Sequence, residues 1–150
     1  MGKEAPFFEA LLDKPVSLIK RGYGSAIVVD FGELSERKAI RRSSTRQMGE
    51  CTLLIEWSWR IEKPRSILGG SWSSERRWPG MFEKLTSETV TKVELQCHLP
   101  EICVSFSNGF RLVSFMTEES QPEWTLHCRK PNLGVLGVER GALRVYKRNS

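Results

Sequence analysis

The chain has 150 residues, of which 39% are hydrophobic and 27% charged, and these proportions are typical of one soluble globular domain with a single core. No apolar run approaches the roughly 18 to 20 residues needed to cross a bilayer, which argues against a membrane-spanning protein or a membrane partner. The N-terminal residues contain no convincing signal peptide. We therefore expect a single cytoplasmic domain over residues 1–150.

The formal net charge of +5 is concentrated in two segments, residues 36–46 and residues 75–78. Basic patches of this kind attract phosphate groups or acidic protein surfaces. The alternative is that both are solvated loops without a partner.

The first elements in chain order are a helix and a hairpin. Residues 7–14 carry apolar side chains at helical spacing, and Pro15 prevents the helix from continuing. Residues 16–20 and 26–31 are rich in β-branched and other apolar side chains, and the segment between them contains two glycines. This pattern predicts a β-hairpin.

A polar segment and a strongly patterned strand follow. Residues 33–50 contain few apolar side chains to offset the entropy of ordering, which predicts a mobile basic loop with a helical turn at residues 33–40. Residues 51–62 then alternate between apolar and polar side chains until Pro64, so we predict one strand here. Residues 66–70 are expected to add a short edge strand.

The second half of the chain predicts another helix followed by strands. The helix is expected at residues 81–85, and strands are expected at 93–99 and 102–106. Asn108 and Gly109 favour a two-residue type I′ turn, because both residue types tolerate positive φ. The turn leads into a partner strand whose apolar residues leave its register open. The further strands are predicted at residues 110–116, 124–128, 133–138 and 142–146.

Residues 7–70 and 80–147 are interpreted as an internal repeat. The matching positions are Phe8, Leu11, Val16 and Ile19 in the first unit and Phe82, Leu85, Val90 and Val93 in the second. All four pairs have the same offset of 74 positions. The alternative is a chance match, because any helix followed by alternating strands aligns apolar positions with another. A true repeat predicts two αβββ-like units that pack about a pseudo-twofold axis and share one core.

Together these elements predict an α+β fold dominated by antiparallel strands. Two short helices are expected to cover one side of a twisted sheet or incomplete barrel.

The repeat residues also carry a resemblance to a loosely defined group of small bacterial proteins without an assigned activity. The pattern is a leucine before two valines, then F-x-x-G-x-x-L, then W-x-L. The matching residues are Leu85, Val90, Val93, Phe106, Gly109, Leu112, Trp124 and Leu126. The match covers about a third of the chain, and the glycine that commonly follows the leucine is absent. Some similar proteins are suspected toxin-immunity proteins, so the resemblance implies a protein-binding role by analogy.

Cysteine and histidine residues raise the question of a zinc site. The candidates are Cys97, His98, Cys103, His127 and Cys128. Strand alternation places Cys97 and Cys128 on apolar faces and the other three on opposite faces, so one ion could not easily reach both sets. The four cysteines form no C-x-x-C pair, and we expect reduced thiols and no metal.

The candidate partner-binding residues combine arginine with tryptophan. Trp72 and Trp78 lie in Gly-, Ser- and Pro-containing surroundings and are expected to be exposed. Trp57, Trp59 and Trp124 lie on apolar strand faces and are expected in the core. The predicted partner-binding residues are Arg41, Arg42, Arg46, Trp72, Arg76, Arg77 and Trp78.

No catalytic motif stands out, since neither histidine lies in a local signature and the glycine-containing segment at residues 66–71 lacks the lysine of a phosphate-binding loop. No cofactor is expected. Our first hypothesis is a non-enzymatic protein-binding module, immunity-like, whose unidentified partner presents an acidic surface. The alternatives are a nucleic-acid-binding protein that uses basic loops with exposed tryptophans, and an enzyme of unrecognised class.

Overall fold

The computed structural model describes residues 2–38, 45–96, 98–117 and 123–147. The helices are α1 (Ala5–Leu11) and α2 (Trp78–Glu83), the latter preceded by a 3₁₀ turn at Glu75–Arg77. The strands are β1 (Val16–Arg21), β2 (Ile27–Phe31), β3 (Ser35–Lys38), β4 (Thr45–Met48), β5 (Cys51–Ile55), β6 (Trp59–Glu62), β7 (Ile67–Gly70), β8 (Val90–Leu95), β9 (Ile102–Phe106), β10 (Arg111–Ser114), β11 (Trp124–Cys128), β12 (Gly134–Glu139) and β13 (Ala142–Tyr146). Neither described helix is long and apolar enough to cross a membrane.

The strands form three antiparallel sheets. The largest has the order β1-β2-β5-β11-β12-β13, the second has the order β7-β6-β10-β9-β8, and β3 and β4 form a separate two-stranded ribbon. Both helices and both large sheets contribute side chains to one continuous apolar core. The predicted α+β fold, dominated by antiparallel strands with two short helices, is confirmed.

The strand predicted at residues 51–62 is in fact two strands in different sheets. Ile55 of β5 pairs with Trp124, whereas Trp59 of β6 pairs with Ser114 in the other sheet. Residues 56–58 carry the chain from one sheet to the other. The alternation of apolar residues runs through this link without changing phase, so the sequence pattern gives no sign of the crossing.

The two halves of the chain exchange strands. β1, β2 and β5 from the first half share a sheet with β11, β12 and β13, and β8, β9 and β10 share the other with β6 and β7. The helix-to-strand links make reciprocal contacts, because Asp13 N donates to Val90 O at 2.9 Å and Ser87 N donates to Val16 O at 2.8 Å. Asp13 and Ser87 both have positive φ, 68° and 73°.

The two halves also correspond in the hydrogen bonds of two buried tryptophan side chains. Trp59 Nε1 donates to Ser25 O at 2.8 Å, and Trp124 Nε1 donates to Pro100 O at 2.7 Å. The acceptor carbonyl lies between β1 and β2 in the first half and between β8 and β9 in the second half. Two copies of one unit related by a pseudo-twofold axis would make these matched backbone and indole hydrogen bonds. The common origin of the two sequences stays a prediction.

The segment at residues 33–50 contains paired strands where a helical turn was predicted. Ser35 of β3 pairs with Met48 of β4, and Arg37 pairs with Arg46. The predicted helical turn is therefore wrong, while residues 39–44 lie outside the described part of the chain. Two paired strands satisfy the hydrogen-bonding groups of their backbones without burying side chains, and a polar segment can therefore form strands.

The hairpin predicted at Asn108 and Gly109 is present, but its turn is not type I′. Gly109 has a φ of 86°, whereas Asn108 is not among the described residues with positive φ. The Asn108 Oδ1 atom instead accepts a hydrogen bond from Phe110 N at 3.0 Å. Asparagine stabilises this turn through its side chain, an option that the sequence does not distinguish from left-handed backbone.

Candidate protein-interaction surface

Three large aromatic side chains are exposed on described loops of the protein. Tyr23, in the β1–β2 turn, is 99% exposed, Trp72, in the turn after β7, is 75% exposed, and Trp57, in the β5–β6 link, is 42% exposed. The exposure of these side chains does not stabilise the fold, because burying an aromatic side chain is energetically favourable. Exposed aromatic residues of this kind are enriched at protein interfaces.

Hydrogen bonds around Trp59 hold the loops that carry these residues. Trp59 Nε1 donates to Ser25 O in the β1–β2 turn, and Ser25 Oγ donates to Trp57 O at 3.2 Å. On the other side, Trp59 N donates to Ser71 Oγ at 3.2 Å, and Ser71 N donates to Trp59 O at 2.9 Å. The three loops are therefore joined at one end of the molecule by the first residue of β6.

Trp78 is buried beneath this end of the protein, although the sequence predicted an exposed side chain. It is 3% exposed, and its ring packs edge-on against Trp59 with centroids 5.1 Å apart. Its indole Nε1 donates to Ser73 O at 3.2 Å. As the first residue of α2, it shares the buried helix face with Phe82, four positions later. Trp78 supports the surface from below.

Two exposed arginines lie beside the aromatic residues in the 3₁₀ turn. Arg77 Nη2 donates to Leu68 O at 2.8 Å, while Arg76 has no side-chain hydrogen bond or ion pair within the described residues. A third arginine, Arg21, pairs with Glu75 at 2.8 Å. We call Tyr23, Trp57, Trp72, Arg76 and Arg77 the aromatic-basic surface.

The other predicted basic residues do not join this surface. Arg46 lies on β4, and the β3–β4 ribbon leaves the large sheet at the end of β2, where Gly49 N donates to Asp30 Oδ1 at 2.9 Å. The aromatic-basic surface lies at the opposite end of β2, about 15 Å along the strand. Arg41 and Arg42 fall outside the described residues.

A group of carboxylates lies at the same end as the aromatic-basic surface. Glu56 directly precedes Trp57, and Glu123 is 3% exposed with an Oε1 atom that has no hydrogen-bond partner among the described residues. Burial raises the pKa of Glu123 to about 7, and the negative charges of Glu101 and Glu56 add to the increase. Burial also raises the pKa of Glu56. This end of the protein therefore combines basic and acidic groups.

The corresponding positions beside the five-stranded sheet are not acidic. Glu56 N donates to Glu123 O at 3.0 Å, and the matching bond in the other sheet runs from Phe115 N to Ser58 O at 3.1 Å. The same backbone arrangement thus accepts phenylalanine and serine in place of two glutamates. The fold itself does not require carboxylates here, so their presence is particular to this end of the six-stranded sheet.

The described members of the candidate zinc site differ in burial. Cys128 is fully buried as predicted, His98 is exposed and His127 is half-buried, while Cys97 is outside the described residues. Cys103 is also buried, although strand alternation placed it on the face opposite to Cys97 and Cys128. Across the described ranges no group of three or more His, Cys, Asp or Glu residues is placed to hold a metal.

Sequence patterns missed two of the five surface residues. Trp57 continues the alternation of its predicted strand, which placed it in the core, and its exposure follows from the crossing between sheets. Tyr23 lies between Gly22 and Gly24 in a predicted turn. A large aromatic side chain in a glycine turn has no neighbouring strand residue to pack on, and this signal could have identified it.

Comparison with known proteins gives no independent guide to this surface. No protein-family model, curated protein or solved structure matches the chain. The resemblance to small bacterial proteins consequently rests on turn and core residues, and the function has to be argued from the surface itself.

Proposed function

We propose that this chain is a non-enzymatic protein-binding module whose aromatic-basic surface docks onto an acidic patch of another protein. The observation that carries the proposal is the joining, by hydrogen bonds at Trp59, of the three loops that carry the exposed aromatic residues. Two exposed arginines lie in the 3₁₀ turn that follows the Trp72 loop, where Arg77 donates to Leu68 O. Tryptophan, tyrosine and arginine are the residue types that contribute most to binding at protein interfaces. A rigid frame also reduces the entropy lost on binding.

The charges at this end favour a protein partner over a nucleic acid. Nucleic-acid binding depends on cations that are free to replace counterions at phosphates. Of the three arginines here, Arg21 is paired with Glu75 and Arg77 is bonded to a backbone carbonyl. Glu56 and Glu123 lie at the same end, and a partner protein can place its acidic groups opposite the arginines and away from these carboxylates, whereas the phosphates of a duplex are evenly spaced. A mixed surface of this kind fits a protein patch with its own arrangement of charges.

An immunity-like role and a cytoplasmic location are the finer parts of this proposal. The resemblance to suspected immunity proteins and the composition of the chain support them. Such a role requires a surface that blocks a partner by occupying it, and the aromatic-basic surface has the residue types for this task without needing catalytic groups of its own.

The double variant Tyr23→Ala, Trp72→Ala is expected to fold normally and to bind the partner at least 30-fold more weakly, because two exposed hot-spot side chains are removed. The partner is first captured with the unaltered chain as bait, and its Kd is then measured with purified components. The matched control is Tyr146→Ala, which removes an exposed aromatic residue from the β13 edge. Equal binding by the double variant and the control would overturn the proposal.

Replacing Arg76 with alanine separates the two kinds of partner. For an acidic protein we expect a moderate loss of affinity, about 3- to 10-fold, and an unchanged thermal midpoint, because the side chain makes no bond within the described fold. Binding of a generic 20-base-pair DNA duplex is measured in parallel at 50 and 200 mM salt. Tight, steeply salt-dependent duplex binding would favour the nucleic-acid alternative.

A further inference from the structure

Two cysteines face each other at the centre of the six-stranded sheet. Cys51 is the first residue of β5 and pairs directly with Cys128, the last residue of β11. Both side chains are fully buried, and both are free thiols. Because β5 comes from the first half of the chain and β11 from the second, this pair lies where the two halves meet.

The hydrogen-bond pattern brings these two side chains close together. Arg129 N donates to Glu50 O at 2.8 Å, which makes the next residue pair a hydrogen-bonded one. Pairs alternate along an antiparallel ladder, so Cys51 and Cys128 form a non-hydrogen-bonded pair, with Cα atoms typically about 4.5 Å apart. This separation falls within the range of about 4.4 to 6.8 Å found for disulfides.

The surroundings stabilise a thiolate at Cys51. The Cys128 thiol donates a hydrogen bond to Cys51, which lowers the pKa of Cys51 against the opposing effects of burial and of the Glu50 charge, and the positive charges of Lys14 and Arg129 add to the lowering. Cys128 keeps the shared proton, so its pKa is raised by the same hydrogen bond and by burial. A thiolate is the reactive form in disulfide chemistry, and this pair therefore holds an attacking sulfur beside a second thiol.

We propose that Cys51 and Cys128 form a reversible dithiol–disulfide site that is oxidised by small disulfides such as oxidised glutathione. The Cys51 thiolate attacks one sulfur of the small disulfide, which forms a mixed disulfide and releases one thiolate. Cys128, on losing its proton, attacks the Cys51 sulfur and releases the second thiolate. Counted from two thiols, with the first proton lost when the Cys51 thiolate forms, two protons and two electrons leave the cysteine pair, and one small disulfide is reduced to two thiols.

Access to the pair requires only local opening. Cys51 is the first residue of β5 and Cys128 is the last of β11, so the opening is confined to this end of the sheet. It has to release the bonds from Arg129 N and Lys130 N to Glu50 O, and the pairing of the cysteines with Phe31 of β2 and Gly134 of β12. The site lies at the opposite end of β5 from the aromatic-basic surface. It therefore does not depend on the proposed function, and its test does not require a partner.

The test is to incubate the purified, reduced protein with oxidised glutathione at pH 7.5 and to count thiols after denaturation. The sequence contains four cysteines, and we expect the count to fall to two and return to four with dithiothreitol. Peptide mapping should identify a Cys51–Cys128 bond. A count that stays at four, a stable mixed disulfide, or a bond between other cysteines would each overturn the proposal.

Single variants provide the matched controls. Cys103→Ala removes another buried thiol and should still lose two thiols on oxidation, whereas Cys51→Ala and Cys128→Ala should lose none to an internal bond. The oxidised unaltered chain should unfold at a temperature about 5 to 10 °C higher, because the bond restricts the unfolded state. An unchanged midpoint with the mapped bond present would contradict a bond formed in the native sheet. If an alanine variant at position 51 or 128 fails to fold, peptide mapping of the unaltered chain and the Cys103→Ala variant still show whether the Cys51–Cys128 bond forms.

Discussion

Replacing Trp59 with alanine is expected to lower the free energy of unfolding by about 3 to 5 kcal/mol. The side chain is fully buried and packs against both Trp78 and Phe82, with ring centroids 5.1 and 6.1 Å away. Truncation leaves a cavity and also removes the hydrogen bond to Ser25 O. Urea unfolding followed by circular dichroism measures the effect without relying on tryptophan fluorescence.

Trp124 provides a matched control for this prediction because it occupies the corresponding position in the second half. It is fully buried and packs against Phe8 with ring centroids 6.4 Å apart. Trp124→Ala should cost a similar amount of stability but leave partner binding unchanged, whereas loss of Trp59 should weaken both. The phenylalanine variants of both positions make the same comparison if the alanine variants do not fold. Equal loss of binding in two folded variants would contradict the role given to Trp59.

Glu123→Gln is expected to stabilise the protein by about 2 to 3 kcal/mol at pH 8 and to have little effect at pH 4. The folded-state pKa of Glu123 is raised to about 7, from an ordinary value of 4.5. Between these two values the folded state binds more protons than the unfolded state, so stability falls as the pH rises. Above pH 7 the buried carboxylate is charged in the folded protein, and its full cost is present.

The measurement is urea unfolding of both proteins at pH 4, 6 and 8. The unaltered chain should lose stability across this range relative to Glu123→Gln, because glutamine has nearly the same shape and no charge. Glu83→Gln, which changes an exposed carboxylate with no hydrogen bond or ion pair among the described residues, serves as the control for the loss of one carboxylate. A parallel pH profile for Glu123→Gln and the unaltered chain would show that Glu123 is not the titrating group.

Local patterns predicted most of the individual elements. The β1–β2 and β12–β13 hairpins were recognised because alternating apolar residues and glycine turns act within about ten residues of one another. The helices were recognised because Pro15 and Pro79 mark where helices end and begin. These signals depend on neighbouring residues only, and tertiary packing does not change them.

The crossing between sheets could not be predicted from the same patterns. Residues 51–62 alternate as one long strand would, and only the different partners of β5 and β6 show that the chain changes sheets. The error carried over to the candidate surface. Trp57 was assigned to the core and Trp78 to the surface, whereas the structure exposes the first and buries the second.

The sequence alone determined the fold class, the positions of most strands and turns, and the burial of Trp59 and Trp124, because periodicity and turn chemistry are local properties. Only the tertiary structure decided which strands pair and which loops meet. It joined Trp72 and Arg76 to Tyr23 and Trp57, separated them from Arg46, and placed Cys51 opposite Cys128. These arrangements depend on contacts between residues far apart in the chain, and no local pattern records which distant residues become neighbours.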